Sequence, residues 1–300
     1  MRIELWADPV CGWAYIARRR LATALADWDG EPVELVWRPF RIDPTAPDPA
    51  ESARTEEDAF GVARVAAAEG LGPRWGAAWR GDTQEAHRLL AVALDTGGPE
   101  LQDALAERLL RAHFIEARNI TDRETLADLA AEAGLADAAS ILESDAGRTT
   151  VREELLRGKA IGVKGSPTFA VGERLLRGAQ TPAEILDFLR DSNDSVVLPE
   201  EVRRLRHAES LIELNDPLGA LVLLKPLLEA FGGDPNVRML AARAYFGSAQ
   251  LRRAEEILTE LVEQNPGDFY ARYMLGRTLR RMGRAEEAAP HLALTADMFD

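Results

Sequence analysis

The chain is 300 residues long, with 36 basic and 50 acidic side chains, a net charge of −14 and a single cysteine, Cys11. That length suggests two domains with ordinary cores, and one thiol excludes both an internal disulfide and a zinc site with several thiolate ligands. The acidic excess argues against nucleic acid as a partner, and no stretch approaches the roughly 18 apolar residues of a membrane span.

The opening run Met1-Arg2-Ile3-Glu4-Leu5-Trp6-Ala7-Asp8 carries charges and lacks the continuous apolar stretch of a signal peptide. A free thiol fits a reducing compartment, so a cytoplasmic location is expected.

Ile3 to Ala7 reads as a short strand that Asp8-Pro9 turns into a loop leading to Cys11. From Gly12 the apolar residues Trp13, Ile16, Ala17, Leu21, Ala24 and Leu25 recur at helical spacing until Asp29-Gly30. Cys11 therefore lies at a helix start. Val33 to Trp37 reads as a second strand ending at Pro39, and residues 44 to 55, with their prolines, as a loop.

Helical periodicity then dominates, around Glu56 to Glu69, Asp82 to Leu94, Leu101 to Glu116, Arg123 to Ala133, Ala136 to Glu143 and Thr149 to Lys159. Strand character returns at Thr168 to Val171 and Arg174 to Arg177, joined by Gly172-Glu173 as a hairpin. Thr181-Pro182-Ala183-Glu184 offers an N-cap, a first-turn proline and a capping-box glutamate for another helix. The order β-α-β, helical insert, β-β-α predicts one α/β domain over residues 1–192, with an all-helical insertion at about 50–160. The polar run Asp191 to Ser195 reads as a linker.

Beyond the linker the chain repeats every 34 residues. Ala208, Ala242 and Gly276 are small, as are Ala220, Ala254 and Ala288; Leu211, Tyr245 and Leu279 are large, as are Leu224, Leu258 and Leu292. This pattern resembles the tetratricopeptide repeat and predicts an all-α domain of three repeats over 201–300.

A cysteine at a helix start meets unpaired N–H groups and the positive end of the helix dipole, so a depressed thiol pKa and a nucleophilic sulfur are expected at Cys11. The plain alternative is an inert buried cysteine.

The stretch Ala7-Asp8-Pro9-Val10-Cys11-Gly12-Trp13-Ala14-Tyr15-Ile16 resembles the active-site segment of DsbA-like members of the thioredoxin superfamily, especially the FrnE-type branch. Gly165-Ser166-Pro167-Thr168-Phe169 is similar to that family's cis-proline segment, and Trp37-Arg38-Pro39-Phe40, Ala86-His87-Arg88-Leu89, Ala112-His113-Phe114 and Gly178-Ala179-Gln180 extend the resemblance over most of residues 1–190. The resemblance implies a thioredoxin-like fold with Cys11 as nucleophile and Gly12, Trp13, Ser166, Pro167 and His87 around the substrate. The departure is Ala14, where the family carries its resolving cysteine. Cys11 can form a mixed disulfide but cannot resolve it internally, which leaves release by glutathione, mycothiol or another small thiol as co-substrate, or long-lived trapping of the partner; no tightly bound cofactor is expected.

The repeat resemblance implies that the first helix of each repeat lines the inner face of the array. It places Met239, Arg243, Phe246, Tyr270, Tyr273, Arg277, Arg280 and Arg281 there. Arginine and aromatic side chains suit an extended acidic peptide, and the alternative is an ordinary solvated helix face. The last repeat shows no evident polar capping helix after Met298-Phe299, so an exposed apolar end there is a candidate homodimer contact or docking surface.

The sequence thus points to a thiol-disulfide oxidoreductase with one cysteine and a protein partner on its repeats. The alternatives are a redox-degenerate chaperone or adaptor, laid out like the chaperedoxins, and a thiol-dependent transferase or isomerase similar to the kappa-class glutathione transferases. The last of these needs an apolar substrate pocket beside the thiol site.

Overall fold

The computed structural model describes residues 1–44, 56–72, 81–192 and 198–294. Most of the proline-rich loop, linker residues 193–195 and Met298-Phe299 lie outside the described residues. The chain divides into two units, Met1–Gly158 with Gly162–Val197, and Lys159–Ile161 with Leu198–Asp300.

The first unit is built on a four-stranded mixed sheet. Its strands are β1 (Arg2–Ala7), β2 (Glu34–Pro39), β3 (Thr168–Val171) and β4 (Arg174–Arg177), in spatial order β2-β1-β3-β4. β1 pairs parallel to β2 and antiparallel to β3, and β4 closes the hairpin with β3. A strand enclosed on both edges and covered on both faces reads as a continuous apolar run, and Ile3, Leu5, Trp6 and Ala7 are all buried.

Glu4 is the exception on this strand. It accepts from Nε of Arg38 at 2.8 Å and from both terminal nitrogens of Arg157 at 2.7 and 2.9 Å. Burial would raise its pKa, but the two guanidiniums outweigh that and hold it below the ordinary value. Arg157 also lies 4.7 Å from the centre of the Trp6 ring, so the charge cluster packs as well as pairs.

Helix α1 (Gly12–Ala26) follows β1, and α2 (Glu56–Ala68), α3 (Gln84–Phe114), α4 (Arg123–Glu132), α5 (Ala138–Glu143) and α6 (Arg148–Ala160) form the insertion before β3. The range labelled α3 holds the two helices expected at 82–94 and 101–116, separated by a kink at Gly98, whose φ of 72° a side chain would disfavour, and Gln102 Nε2 donates back to the Leu90 carbonyl at 3.1 Å. α7 (Pro182–Ser192) starts with the expected capping box, Thr181 Oγ1 donating to Glu184 at 2.7 Å while the Glu184 N–H donates to Thr181 Oγ1 at 3.3 Å. Its Ile185, Phe188 and Leu189 join Leu21 and Ala24 of α1 in the core.

The second unit is a run of antiparallel helix pairs: α8 (Glu200–Glu213) with α9 (Pro217–Phe231), α10 (Pro235–Gly247) with α11 (Leu251–Gln264), and α12 (Phe269–Arg281) with α13 (Ala285–Ala293). The small positions found in the sequence are the contact points. A Cβ on Gly276 would stand 2.8 Å from Cγ of Leu292 on the facing helix, so a side chain there would require Leu292 to shift. Asp216, Asp234 and Asp268 cap α9, α10 and α12 by accepting from first-turn N–H groups.

Candidate functional site at Cys11

The sheet register brings the two halves of the site together. Trp6 pairs with Thr168 in the antiparallel ladder. The same register continued past the strand ends sets Asp8 opposite Ser166, and the Asp8 N–H donates to Ser166 Oγ at 3.0 Å. Cys11 then folds back beneath Asp8, its N–H donating to the Asp8 carbonyl at 2.8 Å.

Cys11 is the N-cap of α1, with extended backbone angles. Its thiol donates to the Ser166 carbonyl at 3.4 Å, and the Ser166–Pro167 peptide bond is cis. The Pro167 carbonyl is occupied by the Gly178 N–H at 2.8 Å. The Ser166 N–H makes no hydrogen bond among the described residues, so one strand-like donor stands open beside the sulfur.

The charge state of the sulfur departs from the expectation of a depressed pKa. Cys11 is 5% exposed, and burial pushes its thiol above the ordinary value. The Ser166 side chain and the Ala14 N–H act against that, the Asp8 charge adds to it, and the Trp13 N–H opposes it weakly. Neither first-turn N–H closes a capping hydrogen bond to the sulfur, so the helix end cannot repay the lost hydration.

One residue near the site, Asp8, acquires a role that the sequence did not single out. Asp8 is 1% exposed, and its carboxylate accepts from the Ile42 N–H at 2.8 Å and from the Val10 N–H at 3.3 Å. It thereby ties the cysteine loop to the segment leaving β2. His87 approaches Asp8 Oδ1 at 4.0 Å, with its Nε2 3.1 Å from the Phe40 carbonyl. A carbonyl can only accept, so Nε2 carries the proton. Burial lowers the His87 pKa, Asp8 partly offsetting it. The acidic neighbour of His87 is thus Asp8, and its signal in the sequence was an aspartate at a strand end, three residues before the cysteine.

Of the residues expected at the site, Cys11, Gly12 and Ser166 share one cluster with Pro167, whereas His87 reaches it through Asp8 and not by touching sulfur. Trp13 is 40% exposed and stands at the surface beside it. A cavity of about 200 Å³ lies behind His87, walled by Trp37, Pro39, Leu90, Gln102, Val151 and Glu154. Its wall contains neither Cys11 nor Pro167.

In the second unit the expected inner-face residues come from α10 and α12. Arg277 lies over the rings of Phe246 and Tyr273, and Arg281 over Phe246. Arg243 pairs with Glu209 at 2.8 Å. Met239, Phe246 and Tyr273 are partly buried against the core, while Tyr270 and Arg280 are exposed.

Comparison with known proteins agrees with this arrangement. The family model of the DSBA-like thioredoxin domain matches residues 2–190. The chain belongs to that family. Two tetratricopeptide-repeat models match beyond the DSBA-like domain, over residues 211–270 and 257–289. Among solved structures, the probable DsbA oxidoreductase SCO1869 of Streptomyces coelicolor is similar at 27% identity, covering 66% of this chain and 93% of that one with a TM-score of 0.58. The cytosolic disulfide reductase DsbM of Pseudomonas aeruginosa, solved with GSH, is 22% identical over 64% of this chain and 98% of its own, with a TM-score of 0.48. A comparison with curated proteins returned no match. The DSBA-like domain here combines the thioredoxin-like sheet and helical insertion of its family with alanine at position 14.

Proposed function

We propose that this protein catalyses thiol-disulfide exchange with Cys11 alone, an external thiol completing each cycle, and that the repeats hold a protein partner. The observation that carries this reading is the placement of Cys11 at the start of α1, against the Ser166 carbonyl and beside the open Ser166 N–H. A substrate strand passing that edge would present its sulfur to Cys11.

In the first step the Cys11 thiol gives up its proton and the thiolate attacks one sulfur of a mixed disulfide between a protein thiol and a small thiol. The old S–S bond breaks, a Cys11 to small-thiol disulfide forms, and the protein sulfur leaves and takes a proton. A second molecule of the small thiol then attacks the adduct, regenerates Cys11 and departs as the oxidised dimer. Glutathione and mycothiol both fit this role. A reducing, cytoplasmic setting would supply either.

Intact mass after exposure to glutathione disulfide at neutral and alkaline pH tests the proposal. One glutathionyl group on the protein, absent from Cys11→Ser and removed by excess glutathione, supports it; a Cys11 that stays unmodified at both pH values refutes it.

A second reading is favoured by the burial of Cys11 and its raised pKa: a redox-degenerate chaperone or adaptor using the same fold. Cys11→Ser separates the two. Undiminished aggregation suppression together with absent exchange activity in the parent protein selects the chaperone. The transferase or isomerase reading gains nothing from the cavity behind His87, because Cys11 does not face it.

A further inference from the structure

We infer that the α12 end of the repeat inner face is a docking site for an acidic peptide segment, with Arg277 and Arg281 gripping its carboxylates. This rests on the reading that the repeats hold a partner, and adds the chemistry of that partner and its direction along the array.

Some arginines of this unit pair with carboxylates of the fold, Arg238 with Glu260 and Arg284 with Glu255 and Glu287. Arg277, Arg280 and Arg281 lie close together near the end of α12. None of the three has a carboxylate at ion-pair distance among the described residues. In a chain of net charge −14, three guanidiniums this close together with no carboxylate at ion-pair distance among the described residues form a locally basic patch.

The cluster is also held in place. The Phe246 ring carries Arg277 at 5.2 Å and Arg281 at 5.1 Å from its centre, and Tyr273 flanks Arg277 at 5.5 Å. Arg281 Nη1 further donates to the Phe246 carbonyl at 2.8 Å. A guanidinium held against an aromatic ring has less rotamer freedom left to lose on binding, and bidentate pairing with a carboxylate is the contact that its planar N–H fork fits.

The 34-residue period gives the surface a direction. Glu209, Arg243 and Arg277 occupy one repeat position, and Glu213, Gly247 and Arg281 another. The first repeat contributes acids and the third contributes arginines, with Arg243 already neutralised by Glu209. An extended segment would therefore set its carboxylates at α12, and any basic residues it carries toward α8. Exposed Tyr270 and partly buried Met239 supply apolar contact along the same helices.

The test uses the full chain and a positional-scanning decapeptide library. Each pool fixes Asp, Glu, Asn, Gln, Lys, Leu or phosphoserine at one position, and binding is read by fluorescence anisotropy at low and high salt. Pools with fixed Asp or Glu are expected to bind at least about five-fold more tightly than the matching Asn or Gln pools. That preference should weaken with salt, and should vanish in Arg277→Gln/Arg281→Gln but persist in Arg243→Gln. Equal binding of acidic and amide pools, a preference confined to phosphoserine, or an unaltered preference in the double variant overturns the inference. If Lys or Leu pools bind best, the acidic assignment fails while the partner-binding reading stands; if no pool binds, both fail. Phe246→Leu, with a thermal melt and circular dichroism matching the parent, checks the stacking platform, because it should weaken acidic pools while both arginines remain.

Discussion

The Cys11 thiol donates to the carbonyl of Ser166 across 3.4 Å, joining residues 155 positions apart in the chain. A carbonyl oxygen can accept from S–H but repels S⁻, so this contact favours the protonated form, as burial also does. The ultraviolet thiolate absorbance is expected to titrate above the roughly 8.5 of an exposed cysteine, and alkylation by iodoacetamide should keep accelerating past that pH. A midpoint at or below the exposed value would contradict the site described here.

Asp8 adds negative charge near the sulfur, so Asp8→Asn should lower the Cys11 midpoint and speed alkylation at pH 8. The same substitution leaves an amide facing two backbone donors, Ile42 and Val10 N–H. A loss of stability of about 1–3 kcal/mol in denaturant unfolding should accompany the faster chemistry.

The pH dependence of stability follows from two opposite shifts. Cys11 binds its proton more tightly in the folded state, so stability falls as pH rises above about 8.5, and Cys11→Ser should remove that part of the fall. His87 binds its proton less tightly when folded, so stability falls as pH drops below about 6.5. His87→Gln keeps a donor for the Phe40 carbonyl without titrating, and its urea midpoint should vary less between pH 7 and 5 than that of the parent.

Ala14 stands one helical turn beyond Cys11, with its N–H bonded to the Cys11 carbonyl at 3.0 Å. Ala14→Cys supplies the missing resolving sulfur. Under a mild oxidant the variant should lose both thiols to an internal disulfide, and its mixed disulfides should decay without added thiol. Persistence of the adduct in Ala14→Cys as long as in the parent would show that the first turn of α1 cannot close the bridge.

Glu4→Gln tests what holds the middle of the sheet. The glutamate is paired with Arg38 and Arg157, and its neutralisation leaves Glu154 as the carboxylate they share. The expected loss in denaturant unfolding is therefore below the roughly 3–5 kcal/mol typical of breaking a buried pair from one side. Because the Glu4 pKa is lowered by folding, the parent should also lose this contribution as pH falls below about 4.3.

Much of this architecture is local and so legible in the sequence. Apolar runs bounded by Asp8-Pro9 and Gly172-Glu173 mark strands, and the capping box at Thr181 marks a helix start. The helices on either side of Gly98 were legible as two periodic segments, whereas the fold-back that sets Gln102 against the Leu90 carbonyl is a tertiary contact. Asp8 was legible as part of the cysteine segment but not as the group joining it to β2, since its partners Ile42 and His87 come from elements packed against it.

The amino-acid sequence by itself determined that a cysteine stands at the head of a helix without a second sulfur, and that helix pairs repeat every 34 residues. Both follow from short-range order, a turn before a helix and a spacing along one. The tertiary structure alone decided that the thiol pKa is pushed up by burial rather than down by the helix end. Desolvation depends on what packs over an atom, and the Ser166 segment that covers Cys11 is brought there by the antiparallel ladder between β1 and β3.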